Sequence, residues 1–272
     1  MLSTDEGLRV VAVENRGAID APDLHGLVLG GPISLRTQDH IGATVQRLLG
    51  PAVDVAPFYR VARCDPRVQA ATASLRGLKP PRFPTLFETI ANVIPFQQVS
   101  LAAGDAVVRR LVERFGERLH LGDRTYHAFT PPERVAAVDV DALRDLGLSR
   151  AKAATLRDVA RRILTGELSE GRLEALPSAA AMASLLALPG IGPWSAGLIL
   201  LRGLRRMEIF PDGDVGAAKN LGRLLGTDDL ALGGERQALL ARMGDMRGYL
   251  YFYALGWRLL HEGLITLAPG GT

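Results

Sequence analysis

The stretch Leu188-Pro189-Gly190-Ile191-Gly192-Pro193-Trp194-Ser195-Ala196-Gly197 sits between two apolar segments, and its reading decides the fold. The apolar run from Pro177 to Leu201 has the length of a membrane span, but Pro189, Gly190, Gly192 and Pro193 fall in its middle and break a continuous helix. The pattern therefore predicts two buried helices joined by a tight turn. Gly190 and Gly192 permit positive φ and carry no Cβ, so amides at the start of the second helix can face an anion. A plain helix connection would use the same residue types. A dinucleotide fingerprint would not fit, because it needs a preceding strand and a third glycine two places earlier than Gly197.

The first 80 residues have a different texture. Arg9–Val13, Leu27–Leu29 and Ile33–Leu35 are short β-prone runs, and Ile41, Val45 and Leu48 give helical spacing over residues 40–49. A small α/β domain, an antiparallel sheet with helices, is expected over residues 1–80. Lys79-Pro-Pro-Arg-Phe-Pro84 is a stiff extended connection, since each proline restricts itself and the residue before it. Residues 81–272 read as helical almost throughout. Thr85 caps a helix carrying Leu86, Phe87, Ile90, Val93 and Ile94, and Ser100 opens another with Leu101, Val107, Val108, Leu111 and Phe115 inward. Further helices follow over residues 141–146 and 153–163, behind Ser178, over 215–225, and along the stripe Tyr249, Phe252, Tyr253, Gly256, Trp257 and Leu260.

Composition excludes several classes. With 32 basic against 29 acidic residues in 272, the net charge of +3 permits nucleic-acid binding without requiring it. The lone Cys64 cannot form an internal disulfide or ligate a zinc or iron–sulfur centre unaided. The acidic N-terminal residues lack the pattern of a signal peptide, so a cytoplasmic protein is expected. The five histidines show no metal-ligand spacing, and Asp212-Gly213-Asp214 lacks the other acids of a calcium loop.

Asp214 and Asp212 both precede the helix predicted over 215–225, where an aspartate ordinarily caps backbone N–H groups and the helix dipole favours its negative charge. Taken with the hairpin, the segment Ile209-Phe-Pro-Asp-Gly-Asp-Val-Gly216 resembles the Gly/Pro-rich loop and aspartate of the helix-hairpin-helix DNA glycosylase superfamily, more specifically its bacterial 3-methyladenine glycosylase II branch. Asp214 lies twenty-two residues after Gly192, as in that pattern. The likeness extends over Arg82–Glu88, Phe96-Gln-Gln-Val-Ser100 and Leu146-Gly-Leu-Ser-Arg-Ala-Lys152.

The resemblance implies a mainly α protein that binds damaged double-stranded DNA as a monomer near the nucleoid, flips an alkylated purine of the 3-methyladenine or 7-methylguanine type, and hydrolyses its glycosidic bond. It implies Asp214 as the catalytic carboxylate, with Asp212 as alternative. Gly190, Ile191 and Gly192 would grip a phosphate, aided by a Na⁺ or K⁺ at the carbonyls of Leu188 and Gly190. Gln98, with Gln97 beside it, would fill the gap left by the flipped base. Trp194 would stack on the base. Leu198 and Met246 stand where relatives carry aromatic pocket residues, with Tyr249 and Tyr253 at the border. Arg202, Arg205, Arg206, Lys219 and Arg223 would add phosphate contacts. Trp194 occupies the position of the lysine used by relatives that also cut the backbone, and with no lysine expected nearby the resemblance implies a monofunctional enzyme without cofactor or iron–sulfur cluster. Deaminated or oxidised bases, or lesion binding without catalysis, are the alternatives.

Overall fold

The computed structural model describes residues 1–227 and 233–266. Three strands, β1 (Leu2–Thr4), β2 (Gly7–Asn15) and β3 (Leu24–Leu29), form an antiparallel sheet in sequential order, with Leu2 opposite Arg9 and Val11 opposite Val28. The β-prone run at Ile33 does not add a strand. Ser34 instead caps α1 (Leu35–Leu49), its hydroxyl accepting from the Thr37 amide at 3.3 Å, and that local bond turns the chain into a helix. Short helices α2 (Ala56–Ala62) and α3 (Pro66–Ser74) follow, each with proline in its first turn.

Beyond the proline-rich connection, Thr85 caps α4 (Leu86–Ala91) and Ser100 caps α5 (Leu101–Phe115), as the sequence predicts. A hairpin of β4 (Arg118–Leu121) and β5 (Arg124–His127) then interrupts the helical region. Helices α6 (Pro132–Ala137), α7 (Val140–Arg144), α8 (Arg150–Leu164), α9 (Glu170–Ala175) and α10 (Ser178–Leu186) lead to the hairpin. Ser178 is the first residue of α10 and not its cap: its hydroxyl bonds the Glu208 carboxylate. α11 (Pro193–Leu198) continues as a buried π-helical turn over Ile199–Gly203. α12 (Val215–Leu224), α13 (Gly233–Met243) and α14 (Arg247–His261) complete the described chain. Among the described residues no helix is long and apolar enough to cross a membrane.

Two hydrophobic cores flank the connecting segment. The first gathers Phe87, Ile90, Leu111, Leu156, Leu185, Ile199 and Leu200 from the middle of the chain. The second joins Phe58, Val68 and Leu75 of the N-terminal region to Leu221, Leu250 and Tyr253 near the C-terminal end. The change of sequence texture near residue 80 is therefore not a change of core: α2 and α3 bury their apolar faces against α12 and α14, because neither short helix can shelter such a face alone. An ionic cluster fastens the connection itself. Glu170 pairs with Arg47 at 2.5 Å and accepts from Arg82 at 2.8 Å and from the Leu86 amide at 3.0 Å.

A second charged knot closes the other core. Asp65 caps α3 and holds the Arg67 guanidinium, which also reaches Glu235 at 2.6 Å and the Leu225 carbonyl at 3.0 Å. Arg67 lowers the Asp65 carboxyl to about 2 from its ordinary 3.8. A depressed acid stabilises the fold above its unfolded value and loses that contribution as pH falls through the folded one. The 3.8-to-2 shift corresponds to roughly 2 kcal/mol. Asp65→Asn, which keeps a capping oxygen, is expected to lose about that much stability at pH 7, while denaturant melts near pH 2 should bring wild type and variant together.

Candidate active site

The hairpin is fixed by close packing against α8. Gly190 has φ of +81°, and a Cβ there would lie 2.1 Å from the Thr155 hydroxyl, so only glycine fits. Gly192 has an ordinary φ of −94° and open space where a Cβ would be; it serves as the residue before α11, not as a left-handed turn. The Ile191 amide closes the turn onto the Leu188 carbonyl at 3.1 Å, and its side chain is buried in the first core. Of the three amides expected to face an anion, those of Gly190 and Gly192 have no acceptor among the described residues.

From the hairpin the chain runs through α11 and the π-helical turn, then returns along Ile209-Phe-Pro211. Gly248 at the start of α14 shapes this return, since a Cβ there would meet the carbonyls of Met207 and Ile209, each at 2.7 Å. The loop delivers Asp214 to the start of α12. One carboxylate oxygen, Oδ1, accepts from the Ala217 amide at 2.8 Å, as a helix cap does. The other, Oδ2, accepts from the Trp194 indole Nε1–H at 3.0 Å. The capping role and the site role are therefore compatible: one oxygen serves the helix, the second ties the aspartate to the hairpin. Asp212 is exposed and outside the cleft lining.

A cleft of about 1050 Å³ opens between these elements, lined by Gln97, Gln98, Lys152, Gly190, Trp194 and Asp214 among others. It brings together most of the residues singled out in the sequence. Leu198 and Met246 are exceptions. Leu198 is buried in the first core and Met246 packs against the second, because each lies on the inward face of its segment. Tyr249 and Tyr253 also belong to the second core, where Tyr249 stacks on Phe58 at 4.7 Å and the Tyr253 hydroxyl bonds the Leu78 carbonyl at 3.0 Å.

Gln98 is exposed at the cleft mouth with φ of +55°. Gln97 points the other way: its side-chain amide donates to the Gly190 carbonyl at 2.8 Å and the Ser195 hydroxyl at 2.9 Å. That placement removes Gln97 from the wedge and makes it a strap on the hairpin. It also bears on the expected cation. The Gly190 carbonyl accepts from Gln97 and the Leu188 carbonyl from Ile191, which leaves each oxygen one lone pair that a sodium or potassium ion would use.

Several basic residues proposed for phosphate are engaged elsewhere. Arg205 donates to the carbonyls of Pro80 and Arg47, Arg206 to those of Glu174 and Leu176, Arg202 lies over the Phe83 ring, and Arg223 pairs with Glu262. Lys219 on α12 is exposed. Lys152 was missed. It lines the cleft and donates to the carbonyls of Pro95 and Gln97, and burial pushes its ammonium below the usual lysine range. The expectation that no lysine lies near the site is thereby corrected; being one of only three lysines in the chain was its one sequence signal.

Residues 91–243 match the family of HhH-GPD superfamily base excision DNA repair proteins. The chain belongs to the HhH-GPD superfamily. A DNA-3-methyladenine glycosylase of Bacillus subtilis is 30% identical over 208 residues, covering 76% of this chain and 68% of that one. DNA-3-methyladenine glycosylase 2 of Escherichia coli is 33% identical over 159 residues, covering 55% and 54%. In fold, the 3-methyladenine DNA glycosylase of Archaeoglobus fulgidus superposes with a TM-score of 0.76 at 23% identity, covering 95% of this chain and 86% of that one. The matched segment of this HhH-GPD chain begins in α4 and ends in α13, so it contains every cleft residue discussed above.

Because Gly190 has no room for a side chain, Gly190→Ala must move the turn that presents both free amides. Fluorescence anisotropy with labelled duplex DNA should show at least about a tenfold loss of affinity, equivalent to ~1.4 kcal/mol.

Proposed function

We propose that this HhH-GPD protein flips alkylated purines, of the 3-methyladenine or 7-methylguanine type, out of duplex DNA and hydrolyses the N-glycosidic bond, leaving an abasic site. The observation carrying this reading is the Asp214 carboxylate, held from two sides by Ala217 N–H and Trp194 Nε1–H in the wall of a cleft whose hairpin bears two free amides. Relatives named for 3-methyladenine support the substrate class.

The chemistry follows from the charge. An alkylated purine already carries positive charge and departs as a neutral base, so the leaving group needs little acid catalysis. Positive charge develops on the sugar instead, in an oxocarbenium-like transition state. A carboxylate whose orientation is fixed beforehand stabilises that charge without reorganising. Asp214 can do this, or align a water on the same carbon. The amides of Gly190 and Gly192 would hold a neighbouring phosphate, setting the sugar against the carboxylate. Trp194 does double service here, since its edge orients Asp214 while its ring lines the cleft beside an electron-poor base. Moving the nucleotide out of the stack costs about a few kcal/mol, least at a damaged pair, and Gln98 is placed to occupy the gap.

The monofunctional reading rests on two placements. Trp194 has no nucleophilic amine, and the Lys152 ammonium is spent on two carbonyls.

Asp214→Asn is expected to lower single-turnover release of methylated bases by about a hundredfold or more while abasic-site DNA is still bound. Trp194→Phe keeps a ring and removes the N–H bond to a charged group, so a loss of about tenfold to a hundredfold is expected, from ~1.5–3 kcal/mol. Wild-type rates in either variant would contradict the assigned roles.

A further inference from the structure

Gln98 has a left-handed backbone, which residues other than glycine adopt only when their surroundings hold them there. Two side chains fix the chain just before that residue. The Lys152 ammonium donates to the Pro95 carbonyl at 3.2 Å and to the Gln97 carbonyl at 2.5 Å, fixing the peptide that leads into Gln98. The Gln97 side chain reaches across to the hairpin, donating to Gly190 and to the buried Ser195. Lys152 stands one turn before Thr155 on α8, and Thr155 is the residue on which Gly190 packs. One face of one helix therefore supports both the loop carrying Gln98 and the turn carrying the free amides.

We infer that Lys152 and Gln97 are positioning residues, forming a relay that couples insertion of Gln98 into the base stack to the grip of the hairpin on the phosphate. The relay rests on the glycosylase reading above. When a phosphate seats on the Gly190 and Gly192 amides, the Gly190 carbonyl stays tied to Gln97, and Lys152 holds the Gln97 carbonyl so that Gln98 remains presented at the cleft mouth. The two carbonyls that accept from the Lys152 ammonium mark it as a structural donor, and its burial, which favours the neutral amine, makes the trapping test below the one that separates this role from a nucleophile's.

A wedge matters most where extrusion leaves a hole. The test compares single-turnover release of one methylated purine from a fully paired duplex with release from a one-nucleotide bulge, whose flanking pairs can close on each other. Lys152→Met should lower the paired-to-bulged rate ratio at least tenfold. Lys152→Arg, which retains several donors, should restore most of it, and adding Gln97→Ala to Lys152→Met should cost little more. Equal losses on both substrates would reduce Lys152 to a general fold element and overturn the relay. So would borohydride trapping of wild-type protein on abasic DNA that Lys152→Met abolishes, because Lys152 would then be a nucleophile. Should Lys152→Met fail to fold, Lys152→Gln carries the same ratio test. Thermal melts supply a readout independent of activity: the destabilisation by Lys152→Met should shrink in a Gln98→Gly background, where the left-handed backbone needs no restraint. An undiminished effect overturns the relay. Absence of base release by wild type would defeat the proposed function instead, and the melts would still decide the relay.

Discussion

The indole N–H of Trp194, donated to an aspartate twenty residues further along the chain, joins the two halves of the site. Without that 3.0 Å bond the hairpin and the Asp214 loop would be separate features on neighbouring helices. With it, the turn presenting the free amides and the carboxylate share one frame. The rest of the fold can be seen as support for this frame. The first core holds α8 beneath the hairpin, and the second holds α12, whose first turn clamps the other carboxylate oxygen. Carboxylate orientation is thus over-determined, which electrostatic stabilisation of a short-lived cation requires.

Much of this was legible in the sequence, for a specific reason. Helix ends are local events, so Thr85, Ser100 and Asp214 announce their helices through side chains that cap amides three residues away. The Gly/Pro turn is equally local. Gly190 had to be glycine, although the space it protects belongs to Thr155, which only the folded chain reveals. The β4–β5 hairpin also left a trace, a Gly122-Asp123 turn between short alternating runs, but it was submerged in a region of strong helical periodicity.

What remained hidden depends on partners distant in sequence. The proline-rich connection suggested two domains, yet α2 and α3 share a core with α12 and α14, and no local pattern records which apolar faces will meet. Leu198 and Met246, expected in the base pocket, face inward. Arg205 and Arg206 read as phosphate ligands because arginine type is visible in a sequence, whereas the carbonyls that absorb them are not. Lys152 is the same case inverted: its acceptors are backbone oxygens some 55 residues away, and backbone oxygens have no sequence signature. The modest net charge fits the proposed site, since gripping phosphate through amides would need few free cations.

In the proposed mode of action, one cleft places a phosphate on the Gly190 and Gly192 amides and a sugar against Asp214 at the same time. A crystal structure of the protein with duplex DNA carrying an abasic-site analogue tests it most directly. The expected structure has the analogue turned out of the helix, its C1′ facing the Asp214 carboxylate, a phosphate oxygen within hydrogen-bonding distance of the Gly190 or Gly192 amide, and Gln98 in the vacated stack. DNA lying on another face, or an extruded sugar directed away from Asp214, would contradict it.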